Sequence, residues 1–234
     1  MEKDRNRHEL KYYISRQYES LLRNRLIHVL KPDANMNGAL EYTVSSLYFD
    51  DIYDTAYNEK QEGLQTRTKY RIRIYNGEDS LIRLEKKSKD GAATNKQSCK
   101  LTKDEYYRIL SGSAANPGDK QAPPLNGFYR DMVMRYLRPK VIVEYDREAL
   151  ICDASELRIT FDRHLRVSTN TFDLFERSNT RCFVLPEDMT ILEVKFNCFL
   201  PDYIRGILAM VDSHSLAISK YVLCREKLNE IKEL

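Results

Sequence analysis

The chain has 234 residues, 42% of them hydrophobic, enough to bury one large core or two small ones. Its 38 Lys and Arg face 35 Asp and Glu, and a net charge of +3 excludes a protein that coats nucleic acid by bulk charge, so any preference for anions must come from local clustering. The five cysteines (Cys99, Cys152, Cys182, Cys198 and Cys224) are scattered with no C-x-x-C pair, and MEKDRNRHEL is too charged for a signal peptide, which points to reduced thiols in a cytoplasm.

Residues 7–14, RHELKYYI, alternate charged with apolar or aromatic side chains and read as a strand. Leu21, Leu22, Leu26, Ile27 and Leu30 then fall at helical spacing over 15–30, with Ser15 as N-cap and Pro32 just past the end. After a Gly/Asn turn at 35–38, strands are predicted at YTVSSLYFD (42–50), TKYRIRIY (68–75), DSLIRLEKKS (79–88) and KQSCKLT (96–102). Thr102 ahead of Glu105 forms a capping box for a short helix to about Leu110. Residues 111–127 read as a loop, followed by a short helix over 128–136. Strands resume at KVIVEYDREAL (140–150), LRITFDRHLR (157–166) and TILEVKF (190–196), and helices follow at roughly 201–212 and 215–232. The most apolar late stretch, 203–223, is interrupted by Arg205, Asp212 and Lys220, so no membrane insertion is expected. Some seven or eight strands with short connections and helices around them predict an α+β fold built on a closed antiparallel barrel, a single domain over 1–234.

Alternation assigns one face of each strand to charge. Arg7, Glu9 and Lys11 share a face, as do Lys69, Arg71 and Arg73; Arg83, Glu85, Lys87 and Lys89; Lys96, Ser98 and Lys100; Arg158, Thr160 and Asp162; and Glu193 with Lys195. Leu84, Ile159, Phe161, Leu192, Val194 and Phe196 lie opposite and require a core. For any one strand, a solvated polar face is the ordinary explanation. Across so many strands, charged faces lining a lumen that holds a polyanion become the better one, because Arg and Lys are donors suited to phosphate oxygens. Glutamates among them would repel phosphate unless they share a hard cation with it, and Glu193 is the best candidate. An internal salt bridge to a neighbouring lysine is its other reading.

The series R-H-E-L-K-Y, S-L-Y-F-D, K-Y-R-I-R-I-Y, L-E-K-K, Y-D-R-E-A-L, R-I-T-F-D, L-E-V-K-F and S-K-Y, in this order over residues 7–221, resembles the catalytic domain of the vacuolar transporter chaperone (VTC) polyphosphate polymerases, members of the triphosphate tunnel metalloenzymes. The resemblance implies an eight-stranded antiparallel tunnel in which the terminal phosphate of ATP passes to a polyphosphate chain with one divalent metal, Mn²⁺ or Mg²⁺. Carried over, it implies catalytic roles for Lys11, Arg71, Arg73, Lys87, Arg147, Lys195 and Lys220, with Glu193 at the metal and Glu9 and Glu85 as weaker metal candidates. Arg7, Lys69, Lys89 and Arg158 are further phosphate-binding candidates. Arg147 shares the Val141, Val143, Tyr145 face, so alternation alone would keep it out of the lumen and a bulge or strand end must help.

Related hydrolases begin E-x-E-x-K, whereas Arg7 stands at the first glutamate here, which favours transfer to polyphosphate over hydrolysis. A tunnel-type triphosphatase and a non-catalytic polyphosphate-binding module are the alternatives. The 16 Tyr and 8 Phe invite an RNA reading, but residues such as Tyr70 and Phe161 fall on apolar faces, and no nucleic-acid partner is expected. A separate membrane protein is the expected partner if synthesis is coupled to translocation.

Overall fold

In the computed structural model, which describes residues 7–91, 93–113, 123–153, 156–211 and 214–233, strand β1 (Arg7–Ser15) runs directly into helix α1 (Arg16–Leu26). Ser15 makes the junction, its hydroxyl accepting from Tyr18 N at 3.4 Å. There follow β2 (Lys31–Pro32), β3 (Tyr42–Asp50), α2 (Thr55–Gln61), β4 (Arg67–Tyr75), β5 (Glu78–Asp90) and β6 (Ala93–Leu101). Next come α3 (Lys103–Leu110), α4 (Pro123–Met134), β7 (Arg138–Cys152), β8 (Leu157–Ser168), β9 (Arg181–Phe183), β10 (Met189–Asn197), α5 (Asp202–Leu208) and α6 (Lys220–Glu233). The capping box forms as expected: Thr102 Oγ1 accepts from Glu105 N at 3.2 Å, and Thr102 N donates to Glu105 Oε2 at 2.6 Å. Most of the loop expected over 111–127, residues 114–122, lies outside the described residues, as does the Arg7 side chain.

The strands form an antiparallel sheet in the order β1-β10-β8-β7-β3-β4-β5-β6, with β2 paired to β7 and β9 to β8 off this path. The path thus contains the eight long strands expected, and two short ones are added. Contrary to the closed barrel expected, it is open, ending at β1 and β6 among the described residues. The outer edge of β1 is taken up by a non-strand segment: Leu216 N donates to Lys11 O at 2.8 Å, and Lys11 Nζ donates to Ile218 O at 3.0 Å.

The chain divides into two compact units. The first comprises Met1–Thr43, Tyr145–Leu165 and Phe183–Ser219, and the second Val44–Glu144, Arg166–Cys182 and Lys220–Leu234. In the first, Ile14, Ile159, Phe161, Leu192 and Val194 turn one sheet face onto Leu22 and Leu26 of α1 and Ile204 and Leu208 of α5. In the second, Leu47, Phe49, Tyr70, Ile72, Ile74, Ile82 and Leu84 pack with Tyr106 and Ile109 of α3 and Phe128 and Met132 of α4. Phe128 meets Phe49 edge-on at 4.9 Å, and Tyr70 donates its hydroxyl to Asp131 Oδ2 at 2.8 Å. Each large side chain buried this way contributes about 1.5–3 kcal/mol of transfer free energy. With alternate residues committed to these cores, the charged residues of the same strands are forced onto the opposite face.

Candidate functional site

In the first unit the cross-strand register sets Lys11 opposite Glu193 and Glu9 opposite Lys195. Side chains directly opposite on one face lie within reach of each other, and here they form a square of two lysines and two glutamates. Lys195 Nζ is 2.8 Å from Glu193 Oε2 and 3.8 Å from Glu9 Oε1, while Lys11 Nζ is 3.2 Å from Glu9 Oε1 and 3.7 Å from Glu193 Oε1. Burial pulls the Lys195 ammonium below the usual lysine range, an effect that Glu193 and Glu9 oppose without cancelling. Arg147 joins the square from β7, its Nη2 3.6 Å from Glu193 Oε2. A bidentate pair holds it there, with Nε 2.6 Å and Nη2 2.7 Å from the two carboxylate oxygens of buried Asp162. Burial lowers the Arg147 pKa, but Asp162, Tyr145 and Glu193 outweigh it and keep the guanidinium firmly charged. Arg158 Nη2, on the same face of β8, lies 2.8 Å from Asp33 Oδ2 and donates to Tyr42 Oη at 3.2 Å.

The face in the second unit is built differently. Down β4, β5 and β6 the register sets Lys69 opposite Lys87, Lys87 opposite Lys96, Arg73 opposite Arg83, and Arg83 opposite Lys100. Like charges directly opposite one another destabilise a sheet pair. Glu85 lies amid this cationic ladder. Its carboxylate lies 2.5 Å from Arg71 Nη2, 2.6 Å from Lys96 Nζ and 4.0 Å from Arg73 Nη1. Burial pushes the Glu85 carboxyl up, but Arg71, Arg73 and Lys96 together overcome it and hold the pKa at about 2. Tyr48 Oη accepts from Arg71 Nη1 at 2.9 Å, and Ser46 Oγ accepts from Arg73 Nε at 3.3 Å. Burial would raise the Tyr48 phenol, yet Arg71, Lys69 and Arg73 bring it down to about 8. Lys89 sits half-buried opposite Arg67, and Lys220 opens α6 half-buried.

The Glu85 shift gives a stability prediction with a definite sign. A carboxyl held near 2 when folded, against an ordinary 4.5, stabilises the fold fully above 4.5 and loses that contribution as pH falls toward 2. Unfolding free energy followed between about pH 5 and 2 is expected to fall more steeply in the native chain than in Glu85→Gln, by on the order of 3 kcal/mol. Parallel curves would show that the cationic cage gives Glu85 no such preference.

The structure therefore brings Glu9, Lys11, Arg147, Glu193 and Lys195 together in the first unit, with Arg158 on the same face. In the second it gathers Lys69, Arg71, Arg73, Glu85 and Lys87 on one ladder. Arg147 does share a face with Tyr145, with its guanidinium 5.1 Å from that ring, but this face carries charge in the first unit and Val141 and Val143 in the second. Asp162, Lys96, Tyr48 and Ser46 hold the named residues in place. Alternation alone had signalled Asp162 and Lys96, whereas Tyr48 and Ser46 lay within the S-L-Y-F-D motif without a role assigned to either.

Among the described residues, no group of three or more His, Cys, Asp or Glu side chains is arranged to hold a metal. A hard divalent cation of the magnesium type nonetheless needs only one or two carboxylates when phosphate oxygens and water complete its shell. Glu9 and Glu193, two carboxylates on one face beside the buried, unpartnered hydroxyl of Thr160, form an oxygen donor set that fits such an ion. Glu85 fits less well, since Arg71 and Lys96 hold it at 2.5 and 2.6 Å, whereas of Lys195, Arg147 and Lys11 only Lys195 lies within 3 Å of Glu193.

A family model described as the VTC domain matches residues 6–229. No curated protein matches the chain. Among solved structures, the PH1819 protein from Pyrococcus horikoshii OT3 is similar with a TM-score of 0.51 and 14% identity, covering 94% of this chain and 99% of that one. A "putative adenylate cyclase" from Bacillus halodurans is similar with a TM-score of 0.52 and 11% identity, covering 92% and 95%. At these identities the likeness shows a common fold.

Proposed function

Because the chain belongs to the VTC domain family, we propose that it transfers the terminal phosphate of ATP onto a polyphosphate chain, as a metal-dependent phosphotransferase of the cytoplasm. The observation that carries this reading is the ladder in the second unit, where lysines and arginines stand opposite one another around the carboxylate of Glu85. A sheet bearing unfavourable like-charge pairs is best explained by an anion with many oxygens that relieves them, and a phosphate chain has that repeating form. Arg71 and Arg73 offer planar forks already oriented by Tyr48 and Ser46, while Lys69, Lys87 and Lys89 offer point charges. In the first unit Lys11 and Lys195 exchange their glutamate partners for phosphate oxygens, and Arg147 stays fixed by Asp162.

Glu193 and Glu9 would hold Mn²⁺ or Mg²⁺, which supplies neutralisation of charge on the transferring phosphoryl group. Phosphoryl transfer through a loose transition state asks the protein mainly to position and neutralise, and these side chains are suited to both. The partners on this reading are ATP and polyphosphate, with a separate membrane protein if synthesis is coupled to export. Among the described residues, no helix is long and apolar enough to cross a membrane.

Purified protein incubated with ATP and Mn²⁺, with ADP, free phosphate and acid-stable polymer assayed separately, tests the proposal. The native chain should release ADP matched by polymer, and Glu193→Gln should abolish both while its thermal unfolding stays close to native. ADP and free phosphate in equal amounts without polymer would make the protein a triphosphatase. Salt-dependent polyphosphate binding without turnover would make it a binding module. Full activity in Glu193→Gln would reduce that carboxylate to a structural ion-pair partner.

A further inference from the structure

Thr160 lies at the centre of the charged face of β8, between Arg158 and Asp162 and directly opposite Glu193. It is 1% exposed, and its Oγ1 makes no hydrogen bond. A hydroxyl stranded this way is costly, since an unsatisfied buried polar group destabilises a fold whereas an apolar group of the same shape does not. Valine has nearly that shape and is equally at home in a strand. A hydroxyl at this position calls for a partner acquired in another state. Glu193 is the neighbour in place to become one: cross-strand Cβ atoms lie about 5 Å apart, so one change of side-chain torsion brings hydroxyl and carboxylate together.

We propose that Thr160 is a positioning residue whose hydroxyl donates to Glu193 once Lys195 leaves that carboxylate for a phosphate oxygen. This rests on the phosphate-binding reading above. In the free protein Lys195 holds Glu193 Oε2 at 2.8 Å, the closest of the contacts from Lys195, Arg147 and Lys11. Binding an anion draws the ammonium away from Glu193 Oε2 and opens that oxygen to another donor. Thr160 then takes over, keeping Glu193 fixed on its face without adding charge that would compete with the anion. Only a hydrogen bond is exchanged, and no proton changes owner.

Calorimetric titration of the full chain with inorganic triphosphate in Mn²⁺ buffer, combined with thermal unfolding of the ligand-free protein, tests this in the native chain, Thr160→Val and Thr160→Ser. Thr160→Val should unfold at the native temperature or above it, yet bind triphosphate about tenfold more weakly, the loss expected for one hydrogen bond to a charged group. Thr160→Ser should restore affinity to near native. A Val variant that binds as tightly as the native chain would overturn the role of Thr160 while leaving the phosphate reading intact. A Val variant less stable without ligand would also overturn it, by showing that the hydroxyl already has a partner. If the native chain binds no triphosphate, the functional reading falls and this inference falls with it.

Discussion

Replacement of Arg73 by alanine is expected to slow ADP release and polymer formation together by a factor on the order of 10² or more, since removing one pre-aimed cationic donor from a transferring phosphate costs about 2–4 kcal/mol of transition-state stabilisation. The same change should cost the fold far less than it costs the rate. Arg73 faces Arg83 across the ladder, so its loss relieves a repulsion, and Glu85 keeps Arg71 and Lys96 at 2.5 and 2.6 Å. The two measurements therefore diverge: initial rates fall steeply while the unfolding midpoint falls only modestly, by the share of the Glu85 cage that Arg73 supplies. A structural arginine would lower both steeply. Arg73→Lys keeps the charge without the planar fork and should fall between native and alanine. A rate for Arg73→Ala within twofold of native would remove this residue from the site.

The largest stability effect should come from Asp162→Ala. Asp162 and Arg147 are 1% and 6% exposed and share two short bonds, so deleting the carboxylate leaves a guanidinium that cannot shed its charge and has little access to water. Breaking a buried pair in this one-sided way costs about 3–5 kcal/mol, a large share of the stability of a domain of this size. Glu193, 3.6 Å from Arg147 Nη2, is a carboxylate in place to respond. A loss near the lower limit with altered activity would show Glu193 drawn toward Arg147 and away from its own task. Asp162→Asn keeps the shape and one acceptor and should lose less. Denaturant unfolding of the three proteins reads the series, and a loss below about 1 kcal/mol for alanine would show that the pair is dispensable to the fold.

Most of the sheet was legible because its signal is local. In TKYRIRIY the cations and the apolar residues fall on opposite faces in the structure, as a period of two requires. The capping box at Thr102 was equally readable, its partners being three residues apart. Helix α2 was missed because its N-terminal donors are met from upstream: Thr55 N donates to Asp51 Oδ1, and Ala56 N and Tyr57 N donate to Asp50. Asp54, at the N-cap position with φ 55°, makes no side-chain cap bond, so a search for a capping residue beside the helix finds none. The last helix starts at Lys220 and not near 215, because residues 216–218 are spent on β1 through Lys11. That long-range pairing overrides a helical period in the sequence. At the site, alternation recovered the charged rows but erred in treating a strand face as uniform. The face of β7 that holds Val141 and Val143 continues as Tyr145 and Arg147, and only the switch from one unit to the other reveals the change of surroundings.

The open path of the sheet carries a consequence for self-association in solution. An end strand presents a row of backbone donors and acceptors to which a strand from another molecule can add. The end at β1 is partly occupied by the Leu216–Ile218 segment, whereas β6 ends the path among the described residues and is exposed over most of its length. Its sequence, ATNKQSCKL, places Lys96 and Lys100 along that margin, with small or amide side chains between them. Charge and short polar groups make a poor template for a second strand, because an added copy would bring its own lysines toward Lys96 and Lys100. Lys96, whose ammonium holds Glu85 on the charged face, thus stands on the same margin where a like charge disfavours the addition of a second strand.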